Sequence, residues 1–131
     1  MIIDAFTFYN ELKMLEYRFK LLNDKVDFFV VVEAKHTFNG SNKELYYENN
    51  KDKFDEYKDK IIHVIVDDMP NNKNPWDNEF HQRNCIIRGI DKLTLNDDDL
   101  IIINDVDEIP NIELMLKHFD KNMMNILQSI N

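Results

Sequence analysis

Apolar residues fall along this chain at two different spacings. Short continuous runs, rich in β-branched and aromatic residues, occupy Ile2–Phe8, Val26–Ala34, Ile61–Val66 and Leu100–Ile103. Runs of this kind, bounded by polar segments, predict strands buried on both faces, as in a parallel sheet. Between them the spacing is helical. Leu12, Leu15, Phe19 and Leu22 predict an amphipathic helix over Asn10–Leu22, with Asn10 as N-cap. Phe54 and Tyr57 predict a short surface helix within Asn50–Asp59. Phe80, Ile86, Ile87, Ile90 and Leu93 share one face and predict a longer helix over Asn78–Leu93. Pro110 and Asn111 mark the start of a last helix that runs to about Ile130. Polar loops are expected at His36–Asn42, at Met69–Asp77 around Trp76, and at Thr94–Asp99.

The resulting order, β-α-β-α-β-α-β-α, predicts an α/β fold: a mostly parallel central sheet flanked by helices, with right-handed crossovers. No internal repeat is visible, and residues 1–131 read as one domain.

Composition narrows the ligands. The formal charge is −9, from 16 Lys and Arg against 25 Asp and Glu. That balance argues against nucleic acid or an anionic membrane surface as partner. The single cysteine, Cys85, excludes an internal disulfide and predicts no Cys-based zinc site. No apolar run approaches the roughly 18 residues of a membrane span. The N-terminus lacks the basic region and apolar core of a signal peptide, so a cytoplasmic protein is expected.

The candidate chemistry lies at strand ends. Leu100–Ile103 stops abruptly in Asn104, Asp105, Val106, Asp107 and Glu108. In open α/β sheets, ligands bind outside the carboxyl ends of the strands. Clustered carboxylates there suit a hard cation such as Mg²⁺, Mn²⁺ or Ca²⁺ and, through it, phosphate oxygens. With 16 Asp in the chain the D-x-D pattern carries little by itself; its position after a buried strand is the signal. It lies on the fourth strand with no Thr following, unlike a haloacid-dehalogenase-type phosphatase. Arg83 falls inside the apolar arc of its helix, so it must meet an anion: a strand-end carboxylate or a nucleotide phosphate. Glu33 ends the second strand, where an acid either binds a ribose or base or is simply solvated. Asn10 and Glu11 sit in the first β-to-α turn, where a ligand approaches, although Glu11 also suits a helix N-terminus. Asp67 and Asp68 end the third strand, and Trp76 stacks on a ligand or anchors its loop. His36, His63, His81 and His118 lack metal-ligand spacing and read as structural, and Cys85 reads as a thiol without a partner. No G-x-G-x-x-G or P-loop sequence is present.

Several ordered segments together are more specific. IIDAFTFYNELKMLEYR, FFVVVEAKHTFNG, KIIHVIVDDMP, EFHQRNCIIRGIDKL and IIINDVDEIP resemble glycosyltransferase family 17 from residue 1 to about residue 113. The resemblance implies a Rossmann-like, GT-A type donor domain and an inverting, metal-dependent transfer of N-acetylglucosamine or a related sugar. It implies a UDP-sugar donor, a glycan acceptor and Mn²⁺ (or Mg²⁺) held by Asp105 and Asp107. By the same logic Glu33 and Arg83 contact the nucleotide; Asn10 and Glu11, from their place in the first turn, and Asp105 complete the expected donor-binding residues. Full members of the family continue well beyond the D-x-D strand, so the chain reads as their donor-binding portion, and no catalytic base is assigned. The alternative is a non-catalytic nucleotide-sugar-binding remnant, or half of a split or homo-oligomeric enzyme.

Overall fold

The structure, a computed structural model, describes residues 1–70, 74–117 and 126–127. Four strands form its centre: β1 Ile2–Thr7, β2 Phe28–Ala34, β3 Ile61–Val66 and β4 Leu100–Asp105. All pair in parallel, and the two-residue strand β5, Ile126–Leu127, pairs in parallel with β4. The spatial order is β3-β2-β1-β4-β5. The chain therefore grows outward from β1 through β2 to β3, then returns to the other side of β1 for β4. The expected parallel α/β fold is the observed one.

Two helical layers cover the sheet because side chains alternate along each strand. Phe6, Phe29, Val31, Leu100 and Ile102 face one layer. It contains α1 (Leu12–Leu22), α2 (Tyr46–Asn50), a 3₁₀ segment (Lys51–Tyr57) and α5 (Ile112–Lys117). Leu15, Phe19, Leu22, Phe54 and Met115 fill the space between, with Phe19 edge-on to both Phe29 and Phe54. Ile3, Ala5, Val30, Val32 and Val64 face the other layer, made by α3 (Pro75–Asn84) and α4 (Ile86–Ile90). Gly89 brings α4 close to the sheet: a Cβ there would lie 2.5 Å from Val30 Cγ1 and 3.1 Å from Val64 Cγ2.

The structure corrects several sequence expectations. Helix α1 starts at Leu12, and Glu11, not Asn10, occupies the N-cap, with no side-chain capping bond. The helix expected at 50–59 is a short α-helix followed by a 3₁₀ segment, with a kink at Phe54. The expected helix 78–93 begins earlier and breaks at Cys85. Pro75 at its first turn and Asn74 Oδ1, which accepts from Trp76 N at 3.0 Å, start it ahead of Trp76. Trp76 is thus helical rather than in a loop. Of the final helix expected up to about Ile130, Ile112–Lys117 is helical and Ile126–Leu127 is a strand; residues 118–125 and 128–131 lie outside the described residues. Strand β4 is fully buried on the α1 side only; Ile101 and Ile103 are half-buried, because α4 covers β1, β2 and β3 instead. His118 lies outside the described residues.

Candidate functional site

The change of direction between β1 and β4 fixes where a ligand can enter. Neighbouring strands whose connections leave in opposite directions open a crevice at their carboxyl ends. A cleft of about 820 Å³ occupies that position. Asn10 and Glu11, following β1, lie on one wall; Asp105 and Asp107, at the end of β4, lie on another; Glu79 and Gln82 of α3 contribute a third. Four of the six sequence-predicted site residues therefore come together. Asp105 is the last residue of β4 and half-exposed, and Asp107 is exposed in the turn beyond. Glu11 Oε1 accepts from Asn10 N at 2.9 Å, which ties the turn after β1 to itself.

The acidic turn is shaped by a residue that the sequence reading passed over. Arg18 of α1 is fully buried. Its Nε donates to Asp4 Oδ2 at 2.7 Å and its Nη2 to Asp4 Oδ1 at 2.6 Å. Its Nη1 donates to the carbonyls of Asp105 (3.1 Å), Val106 (3.2 Å) and Glu108 (2.7 Å). Burial pushes the Asp4 carboxyl upward, and the hydrogen bonds and charge of Arg18 oppose it. Glu108 Oε1 closes the turn by accepting from Asp105 N at 3.0 Å. A helical-wheel signal was available: Arg18 lies three residues after Leu15 and four before Leu22, inside the buried face of α1, and Asp4 interrupts a buried strand.

Arg83 meets an anion, as its position required, but the apolar arc that singled it out is not a buried face. Phe80 is 66% and Ile87 61% exposed. Helix α3 instead buries the amides Asn78 and Gln82, which donate to Phe38 O and Val32 O. The buried positions of α3 and α4, Asn78, Gln82, Cys85, Ile86 and Gly89, recur at helical spacing on one face, which lies to one side of the apolar arc. Arg83 Nη2 donates to Asp105 Oδ1 at 2.7 Å, the strand-end salt bridge among its two readings.

Glu33 is not a wall of the cleft. It is fully buried, its Oε1 accepts from Tyr47 N at 3.1 Å, and its Oε2 accepts from Glu48 N at 3.0 Å and lies 2.7 Å from His63 Nε2. It anchors the start of α2 to the sheet. Burial, with the nearby Glu48 and Glu33 charges, pushes the Tyr47 phenol up to about 12. At the cleft mouth Tyr9 stacks on Tyr46, with centroids 6.3 Å apart, and the Lys43 ammonium lies over both rings.

Outside the cleft, Asp68, His81 and Cys85 offer ligand atoms within 4.8 Å of one another, the one such three-residue group among the described residues. Cys85 Sγ lies 3.7 Å from His81 Nε2, so the thiol has a partner, contrary to expectation. Arg88 already compensates this group's charge by donating to both Asp68 oxygens, at 2.9 and 2.7 Å. Hydrogen bonds from Arg88 and then His81 hold the Asp68 carboxyl well below the usual range.

The residues at the end of β4 suit a hard divalent cation. Asp107 makes no hydrogen bond or ion pair among the described residues, and Asp105 is held at the cleft wall with one oxygen on Arg83. Oxygen ligands of this kind select Mg²⁺ or Mn²⁺ over thiophilic metals. No helix among the described residues is long and apolar enough to cross a membrane.

The family model for glycosyltransferase family 17 matches residues 1–127. The beta-1,4-mannosyl-glycoprotein 4-beta-N-acetylglucosaminyltransferases of Rattus norvegicus and Homo sapiens are each 32% identical to the chain over 127 residues. That of Mus musculus is 31% identical. Each alignment covers 91% of this chain and 24% of the relative, so the chain spans about a quarter of the length of these curated relatives. No solved structure matches the chain.

Proposed function

The chain belongs to glycosyltransferase family 17, and from that premise we propose that it binds a UDP-sugar, UDP-N-acetylglucosamine or a close analogue, with a divalent cation in the β1/β4 cleft. The observation that carries this reading is the meeting of Asp105 and Asp107 with Asn10 and Glu11 across that cleft, at the switch point of the sheet. Asp105 and Asp107 would hold Mn²⁺ or Mg²⁺. When bound, the cation supplies positive charge to the diphosphate of the departing nucleotide.

The protein's own residues do the rest. Arg18 fixes the backbone of the acidic turn, and Arg83 orients the Asp105 carboxylate from the α3 side. Asn10 and Glu11 bound the donor from the β1 side. In the proposed transfer an acceptor hydroxyl attacks the anomeric carbon. A new carbon–oxygen bond forms, the bond to the diphosphate oxygen breaks with its electron pair leaving on UDP, and the hydroxyl proton passes to a base. Inversion follows from attack opposite the leaving group. The acceptor is a glycan, in keeping with the mannosyl-glycoprotein named for the relatives.

Calorimetry with UDP-N-acetylglucosamine, with and without Mn²⁺, tests the reading. Binding that requires Mn²⁺ supports it. Absence of binding in Mn²⁺ overturns it. Binding without turnover of a mannoside acceptor leaves a nucleotide-sugar-binding module in place of a transferase.

A further inference from the structure

Helix α3 is packed inside out. Its polar amides Asn78 and Gln82 are buried against the sheet, while Trp76 is 72% and Phe80 66% exposed. The two aromatic residues are four apart on one helix, so their side chains leave the same outer face. Exposed apolar patches rimmed by polar residues mark interaction sites, and aromatic rings bring the largest apolar area to them. A small pocket of about 160 Å³ lies there, lined by Trp76, Glu79, Phe80 and Arg83. Glu79 also lines the main cleft, and Arg83 is bonded to Asp105 at the end of β4. The aromatic surface is therefore continuous with the site already described, one residue's width from its α3 wall.

We infer that Trp76 and Phe80 form a platform for a pyranose ring of the acceptor glycan. The inference rests on the proposed donor site. A pyranose carries C–H groups on one face, which pack against an aromatic ring, and hydroxyls around its rim, which need acceptors and donors. Trp76 and Phe80 supply the flat apolar surface; the Glu79 carboxylate and the Arg83 guanidinium supply the rim. The Glu79 carboxylate and the Arg83 guanidinium balance in charge, and the guanidinium already donates to Asp105, so the pocket offers a neutral sugar ring both an acceptor and a donor. The donor fills the cleft on one side of Glu79 and the acceptor ring lies on the other.

Trp76 is the protein's only tryptophan, so its fluorescence reports this surface and no other. The test titrates methyl β-mannopyranoside into the full chain, with glycerol as a polyol control, and measures UDP and UDP-N-acetylglucosamine affinity in Mn²⁺ in parallel. The expected result is a saturable blue shift of Trp76 emission with the mannoside and none with glycerol. Phe80→Ala should weaken mannoside binding about tenfold and leave UDP affinity unchanged; calorimetry on Trp76→Ala should show the same separation. UDP binding with no mannoside effect on Trp76 overturns the platform and leaves the donor site standing. Phe80→Ala that weakens UDP-N-acetylglucosamine but not UDP assigns the ring to the donor sugar and overturns the acceptor assignment. Failure of UDP and mannoside alike overturns the donor reading and the platform with it.

Discussion

Arg18 and Asp4 face each other in the dry layer between α1 and the sheet, paired through two hydrogen bonds of 2.7 and 2.6 Å. The pair does more than join helix to strand. The guanidinium's remaining edge holds three carbonyls of the turn that carries Asp105 and Asp107. Packing in the core and geometry at the cleft are thus coupled through one side chain, which also lies 4.7 Å over the Phe6 ring.

Arg18→Met should destabilise the protein by about 3–5 kcal/mol, because it leaves the Asp4 carboxylate buried without its partner. Asp4→Leu combined with Arg18→Met should recover part of that loss, since an apolar pair needs no desolvation of charge while the three turn carbonyls stay without their donor. The double variant should still bind UDP weakly in Mn²⁺, because the carbonyls of the acidic turn have lost their donor. Urea denaturation reads the first two effects and calorimetry the third. Full recovery of binding in the double variant would show that Arg18 does not shape the turn.

Asp107→Ala should change stability by less than about 0.5 kcal/mol, since the side chain is exposed and makes no hydrogen bond among the described residues. It should lower Mn²⁺-dependent UDP affinity by about tenfold or more. Asp105→Ala should do both: weaken binding and release Arg83 from its 2.7 Å bond. Calorimetry and thermal denaturation of the two variants separate a metal ligand from a structural ion pair.

Gly89→Ala should destabilise by about 1–3 kcal/mol, although alanine favours a helix more than glycine does. The new Cβ would meet Val30 Cγ1 at 2.5 Å in a strand that cannot recede from both helical layers. Val30→Ala in the same chain should relieve part of the effect, so the two substitutions should be less than additive in denaturation experiments.

The strands were readable because each is mainly apolar at successive positions, with Asp4, Glu33 and His63 as polar exceptions, and a parallel sheet between two helical layers favours that pattern. The placement of Asp105 and Asp107 at the cleft was readable from their position at the end of such a run. The helices were harder. Phe80 and Ile87 fit an apolar arc, yet they face solvent, because periodicity reports that a helix has an apolar side and not what covers it. Asn78 and Gln82 gave no signal, since buried amides are decided by the carbonyls they meet, Phe38 and Val32, far away in sequence. Arg18 was open to the same wheel test as Arg83 and would have passed it more clearly. The two-residue strand β5 has too few residues to show a period.

Acid should weaken one surface contact in a defined direction. Hydrogen bonds from Arg88 and then His81 lower the Asp68 carboxyl from its ordinary value. A lowered folded-state value means the ionised form is favoured by folding. That contribution is complete above the ordinary aspartate range, near pH 4, and is lost as pH falls through the lowered folded value. Asp68 is half-exposed, so the contribution is under about 1 kcal/mol. Wild type should therefore exceed Asp68→Asn in stability by that small amount at pH 7. The gap should close on acidification below about pH 4. A gap that widens in acid would reverse the sign assigned here.

Glu33 offers the sharpest contrast between a structural and a ligand-binding role. Its carboxylate, fully buried, receives Tyr47 N and Glu48 N and faces His63 Nε2. Glu33→Ala would strand three polar groups at once, and unpaired buried groups lose about 1–3 kcal/mol each. The variant should be destabilised by about 3 kcal/mol or more. Glu33→Gln should lose less, because its amide oxygen still accepts one of the two N–H groups while its NH₂ opposes the other. Where folded, both variants should bind UDP in Mn²⁺ about as well as wild type, since Glu33 does not line the cleft. Thermal denaturation beside UDP calorimetry distinguishes the roles. Stability lost with affinity retained fits an anchor for α2, whereas affinity lost at unchanged stability would return Glu33 to the nucleotide.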